Sequence, residues 1–221
     1  RWGKPLEQVI LQRVAELQPD LLLKSSHQHH NLKQRLLGNS SWQLLRHCPV
    51  PLWLVQHGEW QCRQLCAALD PLHADDKPAA LDQQLIATAQ LLSDTLGIQP
   101  HYLHSYAPVP QSLLFDSALV EDYAHYRQLC ATQHRAAFEQ LLANAGVPRN
   151  QAQLREGFAE EEIARFVREE QIDLLLMGAI ARGHLANALL GNTAERVLES
   201  VECDVLILKA PPATADPAPG K

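Results

Sequence analysis

The sequence predicts an α/β protein built on an open, doubly wound, five-stranded parallel sheet, with one complete unit preceded by the closing half of another. Three observations lead to that class. Short apolar runs such as Ile172–Met177 and Cys203–Leu208 alternate with longer stretches of helical period, as in a parallel sheet covered on both faces. The stretch Asp20–Val55 recurs without a gap at Asp173–Leu208. A chain of 221 residues, 46% hydrophobic and 20% charged, has enough apolar side chains for one full core and part of a second.

The repeat sets the domain organisation. Asp-Leu-Leu-Leu stands at 20–23 and again at 173–176, Leu32 meets Leu185, and Leu-Leu-Gly-Asn at 36–39 meets the same residues at 189–192, all at one offset of 153 positions. Upstream, Glu7, Ile10, Val14 and Glu16 meet Glu160, Ile163, Val167 and Glu169. Leucine-rich composition alone does not produce a shared Gly-Asn with a matching helical pattern before it. Residues 1–55 are therefore read as the closing half of a first unit, 56–61 as a linker, 62–210 as a complete second unit and the Ala/Pro-rich 211–221 as a disordered tail. The first residue is Arg1, and the opening Arg1-Trp2-Gly3-Lys4-Pro5 lacks signal-peptide character, so the start of the first unit is expected upstream.

Within the complete unit the elements follow in order. Leu65–Asp70 is a buried strand ending in a carboxylate. Pro78 and Gly97 bracket a helix that carries Leu81, Leu85, Ala89, Leu92 and Leu96 on one face. Ile98–Tyr106 is a second strand, closed by Pro108-Val109-Pro110. A long helical stretch over Asp116–Ala145 places Leu119, Tyr123, Tyr126, Cys130 and Ala137 at helical spacing and stops at Gly146 and Pro148. Gln151–Arg155 is a third strand, and Glu160–Glu170 a helix with Ile163, Phe166 and Val167 inward. Its acidic start, Glu160-Glu161-Glu162, suits the positive end of the helix dipole. Strand Ile172–Met177, a glycine-containing loop, a short helix with Ala194, Val197, Leu198 and Val201, and strand Cys203–Leu208 complete the unit.

Several functions are disfavoured by composition. A net charge of −6 argues against general nucleic-acid binding, and no apolar run is long enough to span a bilayer. The five cysteines, Cys48, Cys62, Cys66, Cys130 and Cys203, are odd in number and sit in apolar segments, as reduced thiols of a cytoplasm do. No metal site is expected. His27, His29 and His30 share a loop without an accompanying carboxylate or thiol, which suits hydrogen bonding better than metal ligation.

The segment with most chemical promise runs from Gly178 through Ala181, Arg182 and Gly183 to Gly191, Asn192 and Thr193. It leaves the carboxyl end of a strand and opens a helix, where free backbone N–H groups and the helix dipole favour an anion. Glycines admit phosphate oxygens close to the backbone, and Asn192 or Thr193 offers a side-chain donor.

The order of strand-ending Asp70, long helices, Asp-Leu-Leu-Leu-Met-Gly at 173–178 and Leu-Gly-Asn-Thr-Ala-Glu at 190–195 resembles the universal stress protein family. The stretches Lys24–His30 and Leu44–Trp53 resemble the first repeat of its tandem, E-type members. That resemblance implies a cytoplasmic stress-survival protein, active also under DNA damage, with no established catalysis. Nucleotide-binding members carry Gly, two residues, Gly, nine residues, Gly and then Ser or Thr. Here Gly178 and Gly191 fit, while Ala181 and Asn192 depart, so the implied cofactor, ATP or AMP, would be held weakly. A Cβ at a left-handed position costs about 1–2 kcal/mol, and at 181 it would also crowd a phosphate. Asp70 matches the acid beside the adenosine moiety, with a turn or cap carboxylate as its structural alternative.

The candidate binding residues are thus Asp70, Gly178, Arg182, Gly183, Gly191, Asn192 and Thr193, with no catalytic residue among them. The expected partners are the two repeats for each other, a second copy in a homodimer, and a small ligand. The alternative is an ATP-binding or ATP-hydrolysing enzyme using loop 178–193. Such an enzyme wants a glycine-rich turn after its first strand, and Asp70-Pro71-Leu72-His73-Ala74-Asp75 has no glycine.

Overall fold

The computed structural model describes residues 3–25, 37–56, 63–73, 80–109, 122–179 and 191–209. In chain order the elements are α1 (Leu6–Leu17), β1 (Leu22–Ser25), α2 (Asn39–His47), β2 (Leu52–Val55) and β3 (Leu65–Leu69). There follow α3 (Ala80–Leu96), β4 (Pro100–Tyr106), α4 (Tyr123–Asn144), β5 (Ala152–Glu156), α5 (Ala159–Glu169), β6 (Leu174–Ala179), α6 (Asn192–Ser200) and β7 (Asp204–Lys209). Strand and helix bounds differ from the sequence reading by a few residues at their ends. The long helix is described from Tyr123, and the expected portion at 116–121, with Leu119, lies outside the described residues, as do most of the linker and the tail.

The strands form one seven-stranded sheet in the order β1-β2-β7-β6-β3-β4-β5. Strands β7, β6, β3, β4 and β5 are parallel throughout, which is the five-stranded sheet the sequence predicts. Its chain path reverses beside β3. Helices α3 and α4 pack on one face around Leu85, Tyr102, Phe138 and Leu141, while α5 and α6 pack on the other around Phe166, Leu175, Val197 and Val205. Strands such as β3 and β6 are buried on both faces, so their residues are apolar without alternation.

The repeat is present element by element. At the 153-residue offset, α2 coincides with α6 end for end, and β1 and β2 fall within β6 and β7. Gln18 and Gln171, equivalent in the repeat, both take left-handed backbone angles, with φ of 47° and 49°. Gln18 is the C-cap of α1 and hydrogen-bonds through its N–H to the Val14 carbonyl.

The two halves join along β2 and β7, which run antiparallel with Leu52 opposite Ile207, Trp53 opposite Leu206 and Leu54 opposite Val205. Trp53 and Leu206 are equivalent in the repeat, so the junction has a local two-fold register centred on that pair. Buried Asp204 reinforces it by accepting from Trp53 Nε1 at 3.2 Å and from the Gln56 N–H at 2.8 Å.

Candidate functional site

Two parallel strands whose crossovers leave in opposite directions open a crevice at their carboxyl ends, and here those strands are β3 and β6. The crevice is a cavity of about 190 Å³. Its walls are mainly apolar, with Leu69, Leu85, Leu103, Ile163 and Met177 among them, and its polar groups are Asp70, His73, Asp82, Ser105 and Thr193.

Four of the residues singled out by sequence meet at this cavity: Asp70, Gly178, Gly191 and Thr193. Asp70 follows β3 and is exposed, and its carbonyl accepts from the His73 N–H at 3.0 Å, closing a turn at the rim. Gly178 belongs to β6, and its backbone φ is not positive. A Cβ on it would lie 2.5 Å from Leu81 Cδ2, so the absent side chain lets α3 settle close against the sheet. Gly191 is the N-cap of α6, with extended backbone and no side-chain cap. A Cβ there meets no described atom within 4 Å. Asn192 and Thr193 form the first exposed residues of α6, and only Thr193 of the two lines the cavity. Arg182, Gly183 and Ala181 lie outside the described residues, as do His27, His29 and His30.

Sequence reasoning missed the most buried acid of the site. Asp82, in the first turn of α3, is only 4% exposed, and its two carboxylate oxygens both accept from the Asp70 N–H at 3.1 Å. It occupies an apolar helix face as one would expect of a leucine, and only its place one residue after Leu81 near a helix start hinted at a different task.

A second polar cluster lies just behind the rim, on the α4 side of the sheet. Buried His104 on β4 bonds through Nδ1 to the Leu69 carbonyl at 3.0 Å and through Nε2 to His134 Nδ1 at 2.9 Å. A carbonyl only accepts, so His104 Nδ1 carries the hydrogen, and in the neutral pair His134 Nδ1 donates to His104 Nε2. The His134 ring also stacks on Tyr106 at 4.8 Å. Burial lowers the pKa of His104, opposed by its bond to the Leu69 carbonyl and the charge of Asp70. Burial likewise lowers His134, and Asp70 opposes it.

Elsewhere the buried ionisable groups are structural. Burial pushes the Cys66 thiol up, helped by neighbouring Cys203, which leaves it an inert core thiol. Cys48, Cys66, Cys130 and Cys203 are free thiols. Asp173 of the repeated Asp-Leu-Leu-Leu accepts from the Arg63 and Gln64 N–H groups at 2.7 and 3.0 Å, tying β6 to the start of β3. Among the described residues no group of three or more His, Cys, Asp or Glu side chains could hold a metal, and no helix is long and apolar enough to cross a membrane.

The sheet order and the crevice define a Rossmann-like α/β protein with a cavity at the strand ends, where such sheets ordinarily take their ligands. The chain belongs to the universal stress protein family, whose model matches residues 1–56 and 72–209. It is 29% identical over 210 residues to universal stress protein E of Escherichia coli K12, covering 94% of this chain and 66% of that protein. Universal stress protein E of Salmonella typhi is 30% identical over the same length. The chain thus spans about 66% of the length of these relatives. Among solved structures, a functionally unknown protein from Pseudomonas aeruginosa PAO1 matches with a TM-score of 0.78 at 25% identity, covering 94% of this chain and 69% of that one. A universal stress protein from Archaeoglobus fulgidus DSM 4304 shares the fold, with a TM-score of 0.60 at 17% identity, covering 92% of this chain and 66% of that one. Family membership supports a role in the stress response.

Proposed function

We propose that this chain supports survival under stress, including DNA damage, by binding a small ligand of the adenine nucleotide class in the cavity between β3 and β6, without catalysis. The observation that carries the reading is the convergence of Asp70, Gly178, Gly191 and Thr193 on one crevice at the sheet's reversal point. An apolar slot for a flat base, an acid at one rim and the uncapped start of α6 at the other suit a base, a sugar and a phosphate in that order. Residues 62–210 form the binding unit in this reading, 1–55 pair with it along β2, and the protein works in the cytoplasm. A homodimer is compatible with this arrangement.

Titration of AMP and ATP into the purified protein tests the reading. Saturable binding that strengthens in Ala181→Gly is expected, because a glycine there restores the spacing of the family's nucleotide-binding members and leaves room for a phosphate. Absence of saturable binding in both proteins would remove the nucleotide reading. Turnover of ATP would favour the enzyme alternative.

A further inference from the structure

We infer that buried His104 is a positioning residue for the cavity: together with Asp82 it clamps the peptide that carries Asp70, and so sets where that acid meets a ligand. This role rests on the nucleotide reading of the site and adds to it a residue outside the cavity lining.

Asp70 stands where the sheet no longer holds the chain. It is exposed and follows the last residue of β3, whose register with β6 ends at Ala67 and with β4 at Leu69. A peptide group is planar and trans, so its C=O and N–H point in opposite directions, and gripping both stops its rotation. The Leu69–Asp70 peptide is gripped in this way. Its carbonyl accepts from His104 Nδ1 at 3.0 Å, and its N–H donates to both oxygens of Asp82 at 3.1 Å. The two holders are 1% and 4% exposed and come from different elements, β4 and α3. With the peptide plane fixed, the Asp70 side chain leaves the backbone in one direction, at the cavity rim.

His104 is itself held. Burial lowers its pKa and favours the neutral ring. A neutral ring with its hydrogen on Nδ1 accepts at Nε2, and His134 Nδ1 stands there at 2.9 Å. The His104 ring stacks on His134 and tilts against Phe138, with centroids 5.1 and 5.6 Å away, and His134 stacks in turn on Tyr106. His134 thus selects the tautomer that donates to Leu69. A relay runs from α4 through β4 to the strand end that presents Asp70. Core filling alone needs none of these bonds: a leucine would fill position 104 and leave the Leu69 carbonyl without its side-chain donor.

The test is AMP binding by the full chain, followed by calorimetry and by NMR of the histidine rings. Saturating AMP should shift the ring signals of His104 and His134, while His101, on the opposite face of β4 and bonded to Gln64, stays in place. His104→Leu is expected to weaken AMP about three- to tenfold, the size of one hydrogen bond, and His104→Asn, which keeps a donor, to recover most of the loss. The loss should vanish when Asp70→Ala is already present, because the two residues act through one group. His134→Ala, at a partly buried position, probes the same relay should the His104 variants fold poorly. It is expected to weaken AMP about threefold, again only with Asp70 in place. Unmoved His104 signals, an equal loss with and without Asp70, or no loss in any of these variants would overturn the positioning role and leave the nucleotide site standing. Failure of AMP to bind the parent protein would overturn both.

Discussion

Gly178 and Gly191 look alike in sequence and differ in what they do. Gly178 faces Leu81 so closely that a methyl group must displace it, pushing the buried Leu81 side chain out of its seat against β6 and toward the cavity it lines. Gly178→Ala is expected to destabilise the protein by about 1–3 kcal/mol, the usual cost of overpacking. Chemical denaturation should show the penalty shrinking when Leu81→Ala is combined with it, since the two share one space. Gly191→Ser should instead be stabilising by a few tenths of a kcal/mol, because it adds a cap to α6 where no described atom stands within 4 Å of the new Cβ. At the same scale, the lowered pKa values of His104 and His134 give stability a pH dependence. Both rings bind protons less readily when folded than unfolded, so between the unfolded value near 6.5 and the lower folded values the unfolded chain holds more protons. Stability is full above that range and falls as pH drops through it. The thermal midpoint should fall between pH 7.5 and 5.5, and fall less in His104→Asn, whose amide keeps a donor for the Leu69 carbonyl without titrating.

At the scale of elements, the repeat explains features that look accidental singly. Gln18 and Gln171 end equivalent helices in left-handed conformations that glycine adopts without strain. Gln171→Gly is expected to raise stability by up to about 1 kcal/mol by equilibrium denaturation, less the entropy glycine adds to the unfolded chain. Asp204→Ala should cost about 1–3 kcal/mol, because it removes the carboxylate that accepts from the Trp53 indole N–H and the Gln56 N–H at the junction. The elements themselves were legible in the sequence because β3, β6 and β7 are continuous apolar runs and the helices between them keep a clear period. Asp70 and Gly178 were legible as site residues because a chain end of a strand and a glycine carry local signals. Asp82, His104 and His134 were not, since their roles arise from contacts between α3, β4 and α4 that no local pattern encodes. The repeated Asp-Leu-Leu-Leu was legible as a repeat, yet the task of Asp173, fastening two strands, required the sheet order.

For the whole molecule, the order of strands predicts where the structure opens first. β7, β6 and β3 sit in the middle of the sheet with buried residues on both faces, whereas β1 and β5 are its outer strands. Amide hydrogen exchange should be slowest at Leu174–Met177 and Val205–Leu208 and fastest among the strands at Leu22–Ser25. Comparable protection of β1 and β6 would contradict this gradient. The sequence reading placed the two halves near each other through a short linker; that they would share a single continuous sheet required the register of β2 against β7.

That register also limits how copies of the molecule can assemble. The hydrogen-bonding flank of β7 that a second molecule would need for strand addition is already taken by β2 of the same chain. Among the described strands β1 and β5 are the outermost, one carrying Lys24 and the other Arg155 and Glu156, charges that discourage stacking of sheets end to end. A dimer of this protein is therefore not built by repeating the handshake its own halves have already made.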